Sequence, residues 1–204
     1  MYTLFIYNCE SKRLERYRLE PYCSIPYSSH SSMSVSEFFS NTISYIGWTS
    51  TDFIQKWNKL SRGIIHPFSV FRRIWEGGYI SESMHYAGIA ADADEFPPSN
   101  EFPFHSPEHV ALLPYGYPDI AFGEIGLFVL VMQDALSALG FCEGELDGFF
   151  GPYTLRALTR FRQLHNLESS NICDRTTWQA LTFHACGCGV SPSCRYFLKS
   201  KTIL

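Results

Sequence analysis

No run of apolar residues in this 204-residue chain reaches the length of a membrane-crossing helix, which takes about 20 of them. A transmembrane span is therefore not expected. Positive charge is scarce too. Sixteen Lys and Arg stand against 20 Asp and Glu, a formal net charge of -4, and that balance argues against a broadly basic nucleic-acid surface. The opening residues, Met1 to Glu10, lack the basic region and long apolar core of a standard secretory signal. The expectation is a chain that is cytoplasmic as made or leaves by another route. Hydrophobic side chains are not scarce. At 46% hydrophobic and 18% charged, the composition is that of a folded protein and excludes full disorder. The length suits one ordinary domain or two small ones.

The seven cysteines are odd in number, so at least one stays unpaired within the chain. Cys9, Cys23, Cys142 and Cys173 are scattered. Cys186, Cys188 and Cys194 cluster after His184. Such a cluster can hold zinc, but His184-Ala-Cys186-Gly-Cys188 lacks the usual two-residue gap between paired ligands. A reduced, mobile tail over 184–204 is the expectation.

Tyr2 to Tyr7 reads as a strand, and Leu14 to Leu19 alternates charged and apolar residues, so a hairpin is predicted. A Ser-, Pro- and Tyr-rich loop completes a first segment, 1–33. Ser34 and Glu37 fit a capping box. Phe53, Ile54, Trp57 and Leu60 share a helical face that Gly63 ends. Ile64-Ile65-His66 reads as a short strand. Trp48, Trp57 and Trp75 are expected in the core, and His165 on the surface. Six of the 11 prolines fall within 95–119, which excludes a long helix and suggests an extended linker.

After Gly123 the period becomes helical. Val129, Met132, Leu136 and Leu139 share one face, and Gly140 ends the helix. Pro152 suits the first position of a second helix. Leu155, Leu158, Phe161 and Leu164 recur along it. Asp174 can cap a third helix carrying Trp178 and Leu181. Between the first two, Gly148 and Gly151 permit positive backbone angles. Asp147 can accept backbone amides, Thr154 can close the turn, and Phe150 can plug the core. Residues 120–183 are thus expected to form a small all-α three-helix domain.

The spacing Met132-Gln133-Asp134-Ala135-Leu136, Leu139-Gly140, Asp147-Gly148-x-Phe150-Gly151-x-x-Thr154, Ala157 and Phe161-x-Gln163, with Asp174-x-x-Thr177-Trp178, resembles the peptidoglycan-binding domain of cell-wall hydrolases. One departure stands out. Ser170-Asn171-Ile172-Cys173 replaces the second Asp-Gly turn usual in that family. The resemblance implies peptidoglycan as partner. Tyr153, Arg156, Arg160 and Gln163 are the candidates for its ligand-binding face.

A second constellation is Ser83-Met84-His85-Tyr86-Ala87-Gly88-Ile89-Ala90-Ala91-Asp92. An imidazole nitrogen and a carboxylate oxygen are both good zinc donors, and the small residues between them allow a tight turn. The pattern Ser-x-His-x-x-Gly-x-Ala-x-Asp resembles the zinc motif of D-alanyl-D-alanine metallo-carboxypeptidases, which share a fold with the hedgehog signalling domain. The resemblance covers about residues 34–94 and implies an α+β peptidase-like domain with one Zn2+ held by His85 and Asp92. The family's third ligand lies in a Trp-x-His segment that this chain lacks. His109 is preferred over His105 in that role, and Glu108 beside it would be the general base. Arg72 or Arg73 inherits the substrate-holding arginine, and Ser83 belongs to the ligand-binding set.

Two expectations follow. One is a peptidoglycan-binding zinc carboxypeptidase or endopeptidase acting on stem peptides. The other is a non-catalytic wall-binding protein on a degenerate peptidase scaffold. Either would sit at the cell wall or spore by a route other than a signal peptide.

Overall fold

The computed structural model describes residues 1–29, 33–61, 66–80, 82–93, 104–106, 109–111, 116–142 and 144–188. The chain divides into two compact units, Met1–Arg72 with Met84–Tyr115 and Arg73–Ser83 with Gly116–Leu204. These differ from the linear segments expected at 1–33, 34–94, 95–119, 120–183 and 184–204, because packing unites residues far apart in sequence.

In the first unit, β1 (Tyr2–Asn8) and β2 (Arg13–Leu19) form the expected antiparallel hairpin, with Ile6 opposite Glu15. A strand missed by sequence reasoning, β3 (Ile46–Ser50), adds in parallel to the other edge of β1. The hairpin is therefore part of a sheet ordered β2-β1-β3, not a segment of its own. Helix α1 (Val35–Phe38) starts on its capping box. Ser34 N donates to Glu37 Oε2 at 2.6 Å, and Glu37 N donates to Ser34 Oγ at 3.2 Å. Helix α2 (Thr51–Ser61) buries the predicted face of Phe53, Ile54, Trp57 and Leu60. Phe71 joins this core, stacked on Phe38 at 5.5 Å and edge-on to Trp48 at 4.9 Å.

A second sheet of the same unit has the order β4-β6-β5, from β4 (Ala90–Asp92), β5 (Phe104–Ser106) and β6 (His109–Ala111). This corrects the linker expected over 95–119. Pro103 and Pro107 flank residues 104–106 in sequence and so remove no donor from within the strand. Gly63 and most of the strand expected at Ile64-Ile65-His66 lie outside the described residues.

In the second unit the three expected helices are α3 (Leu127–Ala138), α4 (Pro152–Leu164) and α5 (Arg175–Ala185). Leu130, Leu136, Phe150, Leu158, Phe161, Trp178 and Leu181 form a core with no exposed surface. The domain is not purely helical. Strands β7 (Ile120–Ala121) and β8 (Ile172–Cys173) pair antiparallel, and β8 falls where the Asp-Gly turn is missing. On α4 the buried apolar residues are Ala157, Leu158 and Phe161, while Leu164 is 61% exposed. A repeat of three cannot stay on one side of a helix that turns about 100° per residue, so Leu155 and Leu164 end on opposite faces.

Residues 73–83 also belong to this unit. Trp75, expected in the core, is half-buried. Gly187 N donates to Ile74 O at 3.0 Å. Helix α5 runs to Ala185 and Cys188 is buried, so the tail expected from 184 begins as ordered structure. Residues 189–204, with Cys194, lie outside the described residues. Cys9, Cys23, Cys142 and Cys173 are free thiols. Among the described residues no helix is long and apolar enough to cross a membrane.

Candidate functional site

The loop between α3 and α4 is built on Gln133, a buried residue of α3. Its Nε2 donates to Asp147 Oδ1 at 2.7 Å, to Phe149 O at 3.1 Å and to Thr154 Oγ1 at 3.0 Å. Its Oε1 accepts from Gly148 N at 2.9 Å. One amide thus reaches four groups of the loop, its two N–H hydrogens shared among three acceptors, and its bonds to Thr154 and Gly148 are buried. Asp147 also accepts from Phe149 N, and Gly148 takes φ 68, as expected of both. Gly151 does not need a positive angle. Its φ is -90, and the glycine is required by space, since a Cβ there would come within 2.7 Å of the Phe149 ring.

This loop fixes the start of α4 and hence a stripe of exposed residues along it. Tyr153, Arg156, Ala157 and Arg160 form one wall of a pocket of about 360 Å³, and Phe141, Cys142 and Gly144 form the other. Such a volume is at the small end for ligand sites, which run from roughly 300 to 1,000 Å³. The Arg156 guanidinium lies over the Tyr153 ring, 5.6 Å from its centroid. The Phe141 wall is held by packing: Phe141 meets Phe161 edge-on at 5.5 Å, and Phe141 N donates to Leu136 O at 2.8 Å. Three of the four residues expected on a ligand-binding face, Tyr153, Arg156 and Arg160, are therefore brought together. The fourth, Gln163, is exposed but lines no part of the pocket.

Two buried charges brace the same unit. Arg162 donates to Ser170 O and Ile172 O, and its other amine reaches Asp174 Oδ2 at 3.1 Å and Thr177 Oγ1 at 2.5 Å. Burial pushes the Asp174 carboxyl up, but its bonds from Thr177 and its attraction to Arg162 outweigh this and hold it below the ordinary value. Arg73 pairs with Asp134 of α3, which is fully buried. Here burial dominates and pushes the Asp134 carboxyl up, although Arg73 pulls the other way. Gln133, Arg162 and Asp134 were not singled out as organising residues from sequence. The signal available was a polar side chain amid an otherwise apolar helical face.

The His85 motif forms a turn ahead of β4. Gly88 sits at φ +68 against the backbone of β3, where a Cβ would lie 1.8 Å from Trp48 O. No other residue fits there. Trp48 Nε1 donates to Tyr86 O at 2.9 Å, and Thr49 Oγ1 donates to Gly88 O at 2.7 Å. These bonds place His85, which is 1% exposed. His85 Nδ1 is 3.0 Å from Val70 O, and Nε2 is 3.2 Å from Asp92 Oδ1. A carbonyl oxygen only accepts, so Nδ1 carries the proton of that bond. Nε2 of a neutral ring then presents a lone pair to a carboxylate oxygen. Two acceptors at that distance call for a proton or a cation between them. A ligating histidine has the same arrangement, with its far nitrogen donated to a carbonyl.

Backbone pairing sets His109 opposite Asp92, and His105 opposite Val110 on the outer strand. Thus His109, the preferred third ligand, is in register with a proposed ligand. Glu108 lies outside the described residues. Arg72 N donates to His85 O at 3.4 Å, which ties the Arg72 backbone to the motif. Arg73, the other arginine candidate, has its guanidinium on Asp134. Ser83 is buried, and its carbonyl accepts from the Tyr117 hydroxyl at 2.8 Å.

Residues 126–181 match the family model described as "Putative peptidoglycan binding domain". No curated protein and no solved structure matches the chain significantly. The matched segment contains α3, α4 and α5 and carries Tyr153, Arg156 and Arg160, and its similarity to that family supports peptidoglycan binding by this part of the chain.

Proposed function

We propose that the chain binds peptidoglycan through the Tyr153–Arg156–Arg160 pocket and that its other unit carries a zinc peptidase site for stem peptides ending in D-Ala-D-Ala. The observation that carries the first part is that the family match at 126–181 encloses a pocket with an aromatic wall and two guanidiniums. A planar ring and charged forks suit a wall polymer whose peptides bear carboxylates and whose sugars offer flat apolar faces.

The second part rests on the chemistry of the donor set. His85 and Asp92 converge at 3.2 Å, the far nitrogen of His85 is held by Val70 O, and His109 stands in register with Asp92. The chemistry of His85 and Asp92 suits a zinc ion, and on this reading His109 would be its third ligand. Zinc, when bound, supplies polarisation of a water and of the scissile carbonyl. Glu108 would take the water's proton and pass it to the leaving D-alanine amine. Arg72, whose backbone is tied to the His85 turn, would hold the substrate carboxylate in preference to Arg73. Attachment to the wall would raise the local concentration of stem peptides.

A non-catalytic wall-binding protein is the second reading, favoured by the direct His85–Asp92 contact, which a proton satisfies as well as a metal. Metal analysis of the full chain after zinc loading and dialysis separates the two. The peptidase reading expects a near one-to-one ratio, strong loss on His109→Ala, and hydrolysis of a D-Ala-D-Ala peptide that Glu108→Gln abolishes while sparing the metal. Absence of retained zinc and of hydrolysis would leave the binding function alone.

A further inference from the structure

We infer that the pocket on α4 recognises a free carboxylate of the peptidoglycan stem peptide, and not the glycan strand. This rests on the wall-binding reading and names the group that is bound.

Tyr153, Arg156 and Arg160 follow one another at helical spacing, so their side chains form one stripe along α4. Arg156 and Arg160 are both exposed, and both line the pocket. Like charges four residues apart repel, and among the described residues neither guanidinium has a carboxylate partner. Two other arginines of the same unit, Arg73 and Arg162, are paired with Asp134 and Asp174, while Arg175, exposed at the start of α5, lines no part of the pocket. The two pocket arginines are the ones left facing solvent on a concave surface. An anion between them would relieve their repulsion.

The geometry favours a planar anion. Arg156 lies over the Tyr153 ring, which restricts its swing. A guanidinium fork matches a carboxylate with two parallel hydrogen bonds. The remaining walls, Phe141, Ala157 and Tyr153, are apolar or aromatic and suit the methyl and methylene groups of a short peptide. A sugar would instead call for several neutral donors and acceptors, and Gln163, the neutral polar candidate, lies away from the pocket. In peptidoglycan the carboxylates belong to the stem peptides, with phosphate-bearing polymers as the other source of anions.

The test is co-sedimentation of the full chain with three sacculus preparations: untreated, stripped of phosphate polymers with hydrofluoric acid, and stripped then amidated with carbodiimide and ammonia. The inference expects equal binding to the first two. It expects a loss of about tenfold or more on amidation, the size expected when a charged bidentate contact goes. Arg156→Gln and Arg160→Gln, both at exposed positions, should bind stripped and amidated walls alike. Arg156→Lys should recover only part of the difference, since it keeps charge but not the fork. Equal binding of the unaltered chain to stripped and amidated walls would overturn the inference and leave wall binding standing. Loss of binding on stripping would overturn it in favour of phosphate. No binding to any preparation would overturn the wall-binding reading itself, and the inference with it.

Discussion

Gln133 of α3 and Asp147 of the following loop are joined by a 2.7 Å hydrogen bond, and the same amide closes on Gly148, Phe149 and Thr154. The loop that starts α4 is therefore hung from one buried side chain. Gln133→Ala should destabilise the second unit by about 2–4 kcal/mol, since two buried groups, Gly148 N and the Thr154 hydroxyl, lose a partner, each such loss costing about 1–3 kcal/mol. Chemical denaturation measures this. A change below about 0.5 kcal/mol, the size of an ordinary surface substitution, would mean that the loop holds itself.

The Arg73–Asp134 pair ties residues 73–83 to α3. Arg73→Met should cost about 3–5 kcal/mol, the penalty for leaving a buried charge without its partner, and a double change with Asp134→Leu should recover much of it. The deficit should depend on pH. Burial already holds the Asp134 carboxyl above its ordinary value, and loss of Arg73 raises it further. The native variant then binds a proton that the unfolded chain does not, so its stability falls as pH rises. The deficit of Arg73→Met should accordingly be smaller at pH 5 than at pH 7.5. A deficit that grows on acidification would contradict the assignment.

His165 was expected on the surface, yet it is half-buried, with its ring 4.4 Å from Phe161 and 4.2 Å from His184. Burial, and then the neighbouring imidazole, lower its pKa from the ordinary 6.5. The unfolded chain therefore takes up a proton first, and stability should be lost as pH falls below about 6.5. Melting temperatures from pH 7.5 to pH 5 should fall more steeply for the unaltered chain than for His165→Gln. Parallel curves would remove His165 from the cause.

The parts legible in the sequence were those with a period or a cap. The alternation of Leu14 to Leu19, the Ser34–Glu37 box, the face of α2 and the three helices after Gly123 all belong to that class. β3 was hidden because Ile46-Gly47-Trp48-Thr49-Ser50 is short, contains glycine, and has Gly47 to Ser50 buried without alternation. β5 and β6 were hidden by the prolines around them, three-residue strands being too short to show a period. The face of α4 was misplaced because Leu155 and Leu164 cannot lie on one side of a helix. Tyr153, Arg156 and Arg160 were legible as one stripe, and Gln163 fell beyond the pocket. His85 and Asp92 were legible as a pair through the pattern Ser-x-His-x-x-Gly-x-Ala-x-Asp, and the structure sets them 3.2 Å apart. The service of Gln133 to four partners was not, since it depends on a loop that folds back from residues 147–154.

Retention of the full chain on purified peptidoglycan sacculi tests the wall-binding pocket most directly, when compared with the double variant Tyr153→Ala and Arg156→Ala. Both positions are exposed, Tyr153 at 79%, so the variant should melt at the temperature of the unaltered chain. The expected result is sedimentation of the unaltered protein with the wall and retention of the folded variant in the supernatant. Equal sedimentation of both, or of neither, would contradict the assignment of the pocket as the wall-binding site.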